Sequence, residues 1–516
     1  MSVMSQSQIS QKSSYWLDVA AEEIIKRFPE GEVIVSSGIS PSASYHIGHF
    51  REIMTADALA WAVNQRGRKA RHVHVVDNFD PLRKWYDFLP PTDKDYAGQP
   101  LSLIPDPYGD CHKSYADHFY AAFKESLEPM GIHPEIVLSY EDLYSTNRMT
   151  KYIEIALENV EKIKKVYEEK SNRDLDEEWT PVWVIDDRGT FIKGTISSWK
   201  KEDQTINGFS YANGKGKLDW RLDWPARWAE LGVNVEPFGA QEHGASGGSY
   251  DTSSLFAKEV FGIDPPYDAA RYGHIHRPGE TVKMSSSKGN VVTPKEALEI
   301  MPAEILRYFI VRSRPEKKIF FDSGQGLYNL IDEFAAAQSD EGHEFRDAYN
   351  FAVSGSKKHV ISSIPFKHLV QVYQAAQGNT KDALEVLRRT GYSQQVGSEQ
   401  DVIESEFEFV GNWLKKYAPE EIKFEVQKEL PKEEISDAQK EFLAVLAKKI
   451  NEQKTLDGQK MHELIYEAKD EAGIDPRSAF QAIYRIVLGK DYGPKAGWFL
   501  ASLDQEWLVK RLNLKA

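Results

Sequence analysis

The chain has a single cysteine, Cys111, among 516 residues. That excludes an internal disulfide framework and a cysteine-based zinc ribbon, and it suits a reducing compartment. Long apolar runs are also absent: none approaches the roughly 20 residues that cross a bilayer. The stretch from Met1 to Ser14 is polar and rich in Ser and Gln, without the apolar core of a secretory signal. The expected location is the cytoplasm, with no membrane partner. There is no surplus of positive charge; the formal net charge is −15, which by itself argues against a nucleic-acid partner. A large acidic body can still carry a local basic groove. With 41% hydrophobic and 28% charged residues, the composition is that of an ordinary globular protein and excludes long disorder. The length allows roughly two to four domains, each with a buried core.

Against that background one stretch stands out. Glu32-Val33-Ile34-Val35 reads as a short buried strand. From Phe50 to Val63 apolar residues recur at helical spacing: Phe50, Ile53, Met54, Ala58, Trp61 and Ala62. Between them lie Ser36-Ser37-Gly38-Ile39-Ser40-Pro41 and His46-Ile47-Gly48-His49. A strand, a Gly/Ser/Pro loop and a helix opening near His46 aim backbone N–H groups and the helix dipole at the loop, where phosphate is the usual occupant. Gly48 removes a side chain where a nucleotide would meet a Cβ. His46 and His49, three apart on one helical face, are placed to donate to charge growing on a phosphate. Far downstream, Lys283-Met284-Ser285-Ser286-Ser287-Lys288-Gly289-Asn290 is a cationic, hydrogen-bonding loop suited to a triphosphate.

A second strand, Ala70 to Val76, completes a parallel strand–helix–strand unit and leads into the turn Asp77-Asn78-Phe79-Asp80-Pro81. Then come a long loop from Leu89 to Cys111, a helix from His112 to Met130, a strand at Ile136–Ser139 and a helix from Met149 to Lys170. Cys111, His112 and His118, with Asp106 and Asp110 nearby, are zinc-type ligands, but one Cys and irregular carboxylate spacing make a weak pattern, and no metal is assigned to them. Residues 172–217 read as a β-rich insertion, with a hairpin turn at Asp186-Asp187-Arg188-Gly189. The run from Leu218 to Trp228 places three Trp among Asp and Arg. A strand from Asn234 to Pro237 precedes a second glycine-rich loop, with His243 and Gly247, and a helix from Tyr250 to Val260. Ala269–Ile275 is a further strand. After Thr293, a helix N-cap with Pro294 and Glu296 behind it, the chain reads as amphipathic helices. The architecture expected is α/β: a Rossmann-type doubly wound parallel sheet over 31–293 behind an N-terminal helix and tail (1–30), a connecting helix and basic junction (294–326), and an all-α region (327–516).

His-Ile-Gly-His after the first strand, with a Lys-Met-Ser-Ser-Ser loop over two hundred residues later, resembles the class I aminoacyl-tRNA synthetases. Asp80-Pro81-Leu82-Arg83-Lys84, Leu222-Asp223-Trp224-Pro225 and Arg312-Ser313-Arg314-Pro315 narrow the resemblance to class I lysyl-tRNA synthetases over about residues 15–330. It implies attack of the lysine α-carboxylate on the α-phosphate of ATP, then transfer of the lysyl group to the terminal adenosine of tRNA(Lys). ATP with Mg²⁺, L-lysine and tRNA(Lys) are the implied partners, and a monomer is expected. His46, His49, Lys283 and Lys288 become the catalytic donors. Pro41, Gly48, Gly247, Ser285, Ser286 and Ser287 become ATP contacts. A buried ammonium needs a carboxylate or π faces, so Gly38, Ser40, Asp223, Trp224, His243 and Tyr272 are the candidate lysine pocket. Arg307, Arg312 and Arg314 are candidate contacts to the tRNA acceptor arm, and the helical half resembles the anticodon-binding end of glutamyl-type enzymes. Ser286 stands where most class I enzymes carry a second lysine, which leaves Lys288 to replace it. Asp77-Asn78 stands where two Asp are expected. The cysteines that hold zinc in some members are missing, so no structural zinc is expected. The alternatives are a glutamyl-type synthetase, a nucleotidyltransferase sharing the His-Ile-Gly-His loop, and an inactive relative that only binds tRNA.

Overall fold

The computed structural model of the protein describes residues 15–170, 175, 179–241, 243–279, 292–356, 360–430, 435–453 and 456–515. Lys283, Ser285, Ser286, Ser287 and Lys288 lie outside these, so no position is assigned to them. The chain divides into two units, 1–295 with 307–321, and 296–306 with 322–516. Among the described residues no helix is long and apolar enough to cross a membrane.

The first unit opens with α1 (Trp16–Arg27), β1 (Val33–Ile39), α2 (Ile47–Gln65) and β2 (Ala70–Val76). β1 and β2 pair in parallel from Val33↔Ala70 to Ile39↔Val76. α3 (Tyr115–Leu127), begun by the Ser114 hydroxyl accepting from Asp117 N, leads to β3 (Glu135–Leu138), which adds in parallel to β2. The long helix expected over 149–170 is two, α4 (Thr150–Glu158) and α5 (Val160–Lys170). The break is Asn159, whose amide donates back to Ile155 O at 2.8 Å, the local bonding by which Asn competes with a helix.

The insertion forms two small antiparallel sheets. β4 (Val182–Ile185) sits between β5 (Phe191–Ile192) and β9 (Gly216–Leu218); β6 (Trp199–Lys200), β7 (Thr205–Ile206) and β8 (Phe209–Ser210) make the other. The Asp186–Gly189 turn closes β4 onto β5 as its residues require, with Gly189 at φ +81. α6 (Trp220–Leu231) follows and contains Pro225. Proline cannot donate to the carbonyl four residues back; that carbonyl, Arg221 O, instead accepts from Ser253 Oγ at 2.9 Å, on α7 (Ser249–Glu259).

The strand expected at 234–237 is shorter and later: β10 (Phe238–Gly239), paired in parallel with β11 (Arg271–Tyr272). Pro237 has no N–H, and the Asn234 side chain takes Ile34 N at 2.8 Å, so only Val235 bridges to Val35 and Tyr267. These bridges extend the parallel array beyond β1, so the strand order reverses beside β1, the place where doubly wound sheets bind ligands. The strand expected over 269–275 changes partner at Gly273: β12 (Ile275–His276) leaves β11 and pairs with β13 (Ile319–Phe320). A Cβ at Gly273 would meet Lys317 O at 2.8 Å. Between them run α8 (Pro294–Leu298) and α9 (Ala303–Val311), expected as one helix but divided at Pro302.

The second unit is helical beyond that point: α10 (Gln325–Ser339), α11 (Arg346–Ala352), α12 (Phe366–Ala375), α13 (Thr380–Leu387), α14 (Ser393–Lys416), α15 (Asp437–Asn451), α16 (Gly458–Glu471), α17 (Pro476–Leu488), α18 (Ala496–Ser502) and α19 (Gln505–Leu512). The last five close around Phe442, Leu446, Ile450, Leu464, Ile483, Val487 and Phe499. Ser436, Asp457, Asp475 and Asp504 cap four of them, each cap worth about 1 kcal/mol.

Candidate active site

The α2 N-terminus departs from the expected phosphate cradle in one respect. His46 is the N-cap, and its Nδ1 accepts from Gly48 N at 3.0 Å; His49 Nδ1 accepts from His46 N at 3.1 Å. Ile47 N goes to Val292 O and His49 N to His46 O. The first-turn N–H groups are therefore spent inside the protein. His49 Nδ1 also lies 3.2 Å from His46 O, and the two rings have centroids 4.1 Å apart. Gly48 is corrected accordingly: a Cβ there would strike His46 Cε1 at 2.5 Å, so the glycine makes room for the histidine ring before it makes room for a ligand. Pro41 is buried just after β1.

At the strand-order reversal lies a cavity of about 210 Å³. A cavity of that size has room for an amino acid side chain. Its walls bring together five of the six residues expected for the lysine pocket: Gly38, Ser40, Trp224, His243 and Tyr272. α6 presents Trp220, Trp224 and Trp228 as a row, with centroids 6.0 and 5.0 Å apart. Two carboxylates that sequence reasoning did not single out complete the walls. Glu52 accepts from Gly38 N at 2.7 Å and from Tyr272 Oη at 2.6 Å. Glu236, buried, accepts from the indole N–H of Trp224 at 2.8 Å and of Trp228 at 2.6 Å; burial raises its pKa, partly offset by those bonds. The signal available in sequence was helical spacing: Trp224 and Trp228, four apart, share one face and one acceptor.

Asp223 does not line this cavity and is corrected. Its carboxylate is fully buried beside Lys217 Nζ at 3.2 Å and Arg227 at 3.4 Å, and it accepts from Tyr144 Oη. Lys217, also fully buried, lies 3.2 Å from Asp77 and from Asp80 as well. Burial alone would strip the Lys217 charge, but Asp223, Asp77 and Asp80 outweigh it and hold its pKa well above the usual value. Asp77 and Arg227, 3.1 Å apart, belong both to this cluster and to the cavity wall. The turn at Asp77–Pro81 is thus more than a plain turn: it neutralises a buried ammonium, and Asp77 also lines the cavity. Asn78, in place of a second Asp, bonds Glu141 and Tyr140 N.

Gly247 lies apart from the cavity, in the loop before α7, where its N–H donates to Asp251. Arg307 is corrected too. It is buried and donates to Met130 O at 2.6 Å and Gly131 O at 3.2 Å, so it holds the end of α3. Arg312 is half-buried near Tyr308 and Phe309, and Arg314 is exposed. Arg51, missed by sequence reasoning, is a second buried guanidinium, donating to Ile310 O and to Pro315 O.

The fold brings the residues of the metal pattern together. Asp106, Cys111, His112 and His118 place four ligand atoms within 4.8 Å of one another. Cys111 Sγ is 3.0 Å from Asp106, 3.1 Å from His112 Nδ1 and 3.4 Å from His118 Nδ1. Ligands around tetrahedral zinc are roughly 3.4 Å apart, so the set has the chemistry and spacing for such an ion.

A histidine-capped helix after β1 and a small cavity at the strand-order reversal make this a ligand-binding doubly wound fold of the kind that class I tRNA synthetases use. The sequence model of the family described as tRNA synthetases class I (K) matches residues 14–352, and the chain belongs to that family. Among its relatives, the lysine–tRNA ligase of Archaeoglobus fulgidus is 39% identical over 506 residues, covering 97% of this chain and 99% of the relative. That of Methanosarcina barkeri is 38% identical over 531 residues, covering 97% of each. A solved glutamate–tRNA ligase from Elizabethkingia meningosepticum aligns with 94% of this chain and 99% of its own at 12% identity and a TM-score of 0.45.

Removing one member of a buried charge cluster strands its partners, at a cost of about 3–5 kcal/mol. Lys217→Met should lower the stability of the first unit by that amount in denaturant titration, while Lys201→Met, at a solvent-exposed pair, leaves it unchanged. A Lys217→Met protein as stable as the parent would show that the cluster is not holding this region together.

Proposed function

We propose that this chain is a lysine–tRNA ligase that activates L-lysine with ATP, releasing pyrophosphate, and passes the lysyl group to the 3′-terminal adenosine of tRNA(Lys). The observation that carries the choice of amino acid is the cavity beside β1. Among the described residues, Glu52, Asp77 and Glu236 face it with Arg227 as the one lining Lys or Arg, and Asp77 is already matched by Lys217 and Arg227. The remaining negative charge and the Trp and Tyr faces favour a cationic side chain with an apolar stem. A γ-carboxylate would meet Glu52 and Glu236 as like charges, which disfavours the glutamyl reading. The names of the curated relatives point the same way.

Lysine enters with its ammonium toward the carboxylates, and Gly38, beside Glu52, and Ser40 line the same cavity. Its carboxylate is already ionised, so no side-chain nucleophile or general base is required. Charge that builds on the ATP phosphates during attack is met by His46 and His49, and by Lys283 and Lys288. Ser285, Ser286, Ser287, Pro41 and Gly247 are the further ATP contacts in this reading. Mg²⁺ would accompany ATP and would supply charge neutralisation at the phosphates, with His46 and His49 placed toward the phosphate rather than as ligands of the ion. Arg312 and Arg314 remain as contacts to tRNA phosphate; Arg307 does not. Asp106, Cys111, His112 and His118 would hold a structural zinc ion, which would cross-link the loop ahead of α3.

Three measurements check this reading. His49→Ala should cut the rate of lysyl-adenylate formation by about 3–4 kcal/mol of transition-state stabilisation while leaving tRNA binding nearly intact; near-normal turnover would remove the histidines from the phosphate site. Trp224→Ala should raise KM for lysine far more than KM for ATP, and an unchanged lysine KM would return Trp224 to packing alone. Metal analysis should find one zinc per chain in the parent protein and none in Cys111→Ser/His118→Ala; equal metal content in the two would rule this site out.

A further inference from the structure

Glu236 is a carboxylate at 6% exposure in the wall of the amino-acid cavity. Taking a carboxylate out of water is costly unless its oxygens are bonded. Here each oxygen has its own donor: Oε1 accepts from the indole N–H of Trp224 at 2.8 Å, and Oε2 from that of Trp228 at 2.6 Å. Both donors are neutral. Arg227, the one Lys or Arg lining the cavity among the described residues, is spent on Asp77 at 3.1 Å and Asp223 at 3.4 Å. The carboxylate is committed to two tryptophans rather than to an ion pair.

The two ends of this link belong to different layers. Glu236 is fixed to the sheet. Val235, before it, bridges to Val35 and Tyr267; Glu236 N donates to Tyr267 O at 3.3 Å; and Pro237, after it, restricts its backbone. The tryptophans are on α6, whose own bonding is interrupted by Pro225 between them. Trp228 is 1% exposed and Trp224 8%, with ring centroids 5.0 Å apart. Trp228 is therefore the buried backing, and Trp224 is the face that meets the cavity.

We infer that Glu236 is a positioning residue for lysine binding: it acts through Trp224 and Trp228, fixing from the sheet the π face along which the lysine stem lies. The inference rests on the ligase reading for the identity of the amino acid. A carboxylate is the side chain that this task requires, because it has two acceptor oxygens and no donor and can serve two N–H groups at once. The amide of glutamine has the same shape but one oxygen and one NH₂. It can hold one indole, and its NH₂ then meets the other indole N–H, donor against donor. Glu236→Gln therefore displaces a tryptophan, and removing one indole N–H relieves the conflict.

The test is ATP–pyrophosphate exchange by the full-length protein, with KM measured for lysine and for ATP. Glu236→Gln should raise KM for lysine roughly ten-fold, the effect of leaving one buried donor unbonded, and leave KM for ATP nearly unchanged. Glu236→Gln/Trp228→Phe, in which the amide oxygen has Trp224 alone to hold, should return to the lysine KM of Trp228→Phe. Two changes that merely loosened the fold would instead add. Thermal melting checks that each variant is folded; if Glu236→Gln alone does not fold, the double variant should, because the conflict is gone. An unchanged lysine KM in Glu236→Gln, the same fold-increase with and without Trp228, or a double variant that folds no better than an unfolded single one overturns the inference. Lysine-dependent exchange by the parent protein separates the two failures. Exchange together with insensitive or additive variants removes only the role of Glu236; no exchange removes the ligase reading and that role with it.

Discussion

The ammonium of Lys217 is the constraint from which the catalytic unit takes its form. Taking a charge wholly out of water costs several kcal/mol unless its partners are fixed in place. Here they are fixed from two directions, Asp77 and Asp80 after β2 and Asp223 on α6, all 3.2 Å from Nζ. Lys217 itself is on β9, at the end of the insertion. One buried charge therefore ties the inserted sheet, the strand end and the tryptophan helix together. Asp77 and Arg227 carry the consequence into the cavity wall, and the same helix aims Trp224 and Trp228 at Glu236. The outer wall of the cavity is part of a salt-linked frame.

Much of this was legible in the sequence, and the limits have physical causes. Strand, loop and helix around His46 were readable from burial periodicity and turn residues, as were β2, the hairpin at Asp186–Gly189 and the helical half. Boundaries failed where a side chain or a proline took over backbone bonding: Asn159 dividing α4 from α5, Pro302 dividing α8 from α9, Asn234 displacing a strand from 234–237 to β10. In the cavity, residue type identified Trp224 and Tyr272 because a Lys side chain needs π faces. It misplaced Asp223 because a carboxylate next to a tryptophan looks alike in sequence whether it faces a substrate or a lysine of the same chain. Glu52 and Glu236 were passed over because their partners, Gly38 and Tyr272, Trp224 and Trp228, meet them only through the fold. Arg307 shows the same limit: a basic cluster in sequence does not reveal which member turns inward.

The histidine pair closes the N-terminus of α2: Gly48 N and His46 N are bonded to imidazole Nδ1 atoms. Substituting either ring would then remove a donor and also unsatisfy a backbone N–H, so loss of chemistry and local fraying of α2 are linked there. The Cβ collision at Gly48 is the packing side of the same arrangement.

The central claim is that a negatively charged, aromatic cavity beside β1 selects lysine for adenylation. Its most direct test is ATP–pyrophosphate exchange measured with each of the twenty amino acids, with and without total tRNA. The account predicts exchange with lysine and with no other amino acid, and none with glutamate in either condition. Exchange supported by glutamate, or by a neutral amino acid as well as by lysine, would contradict it.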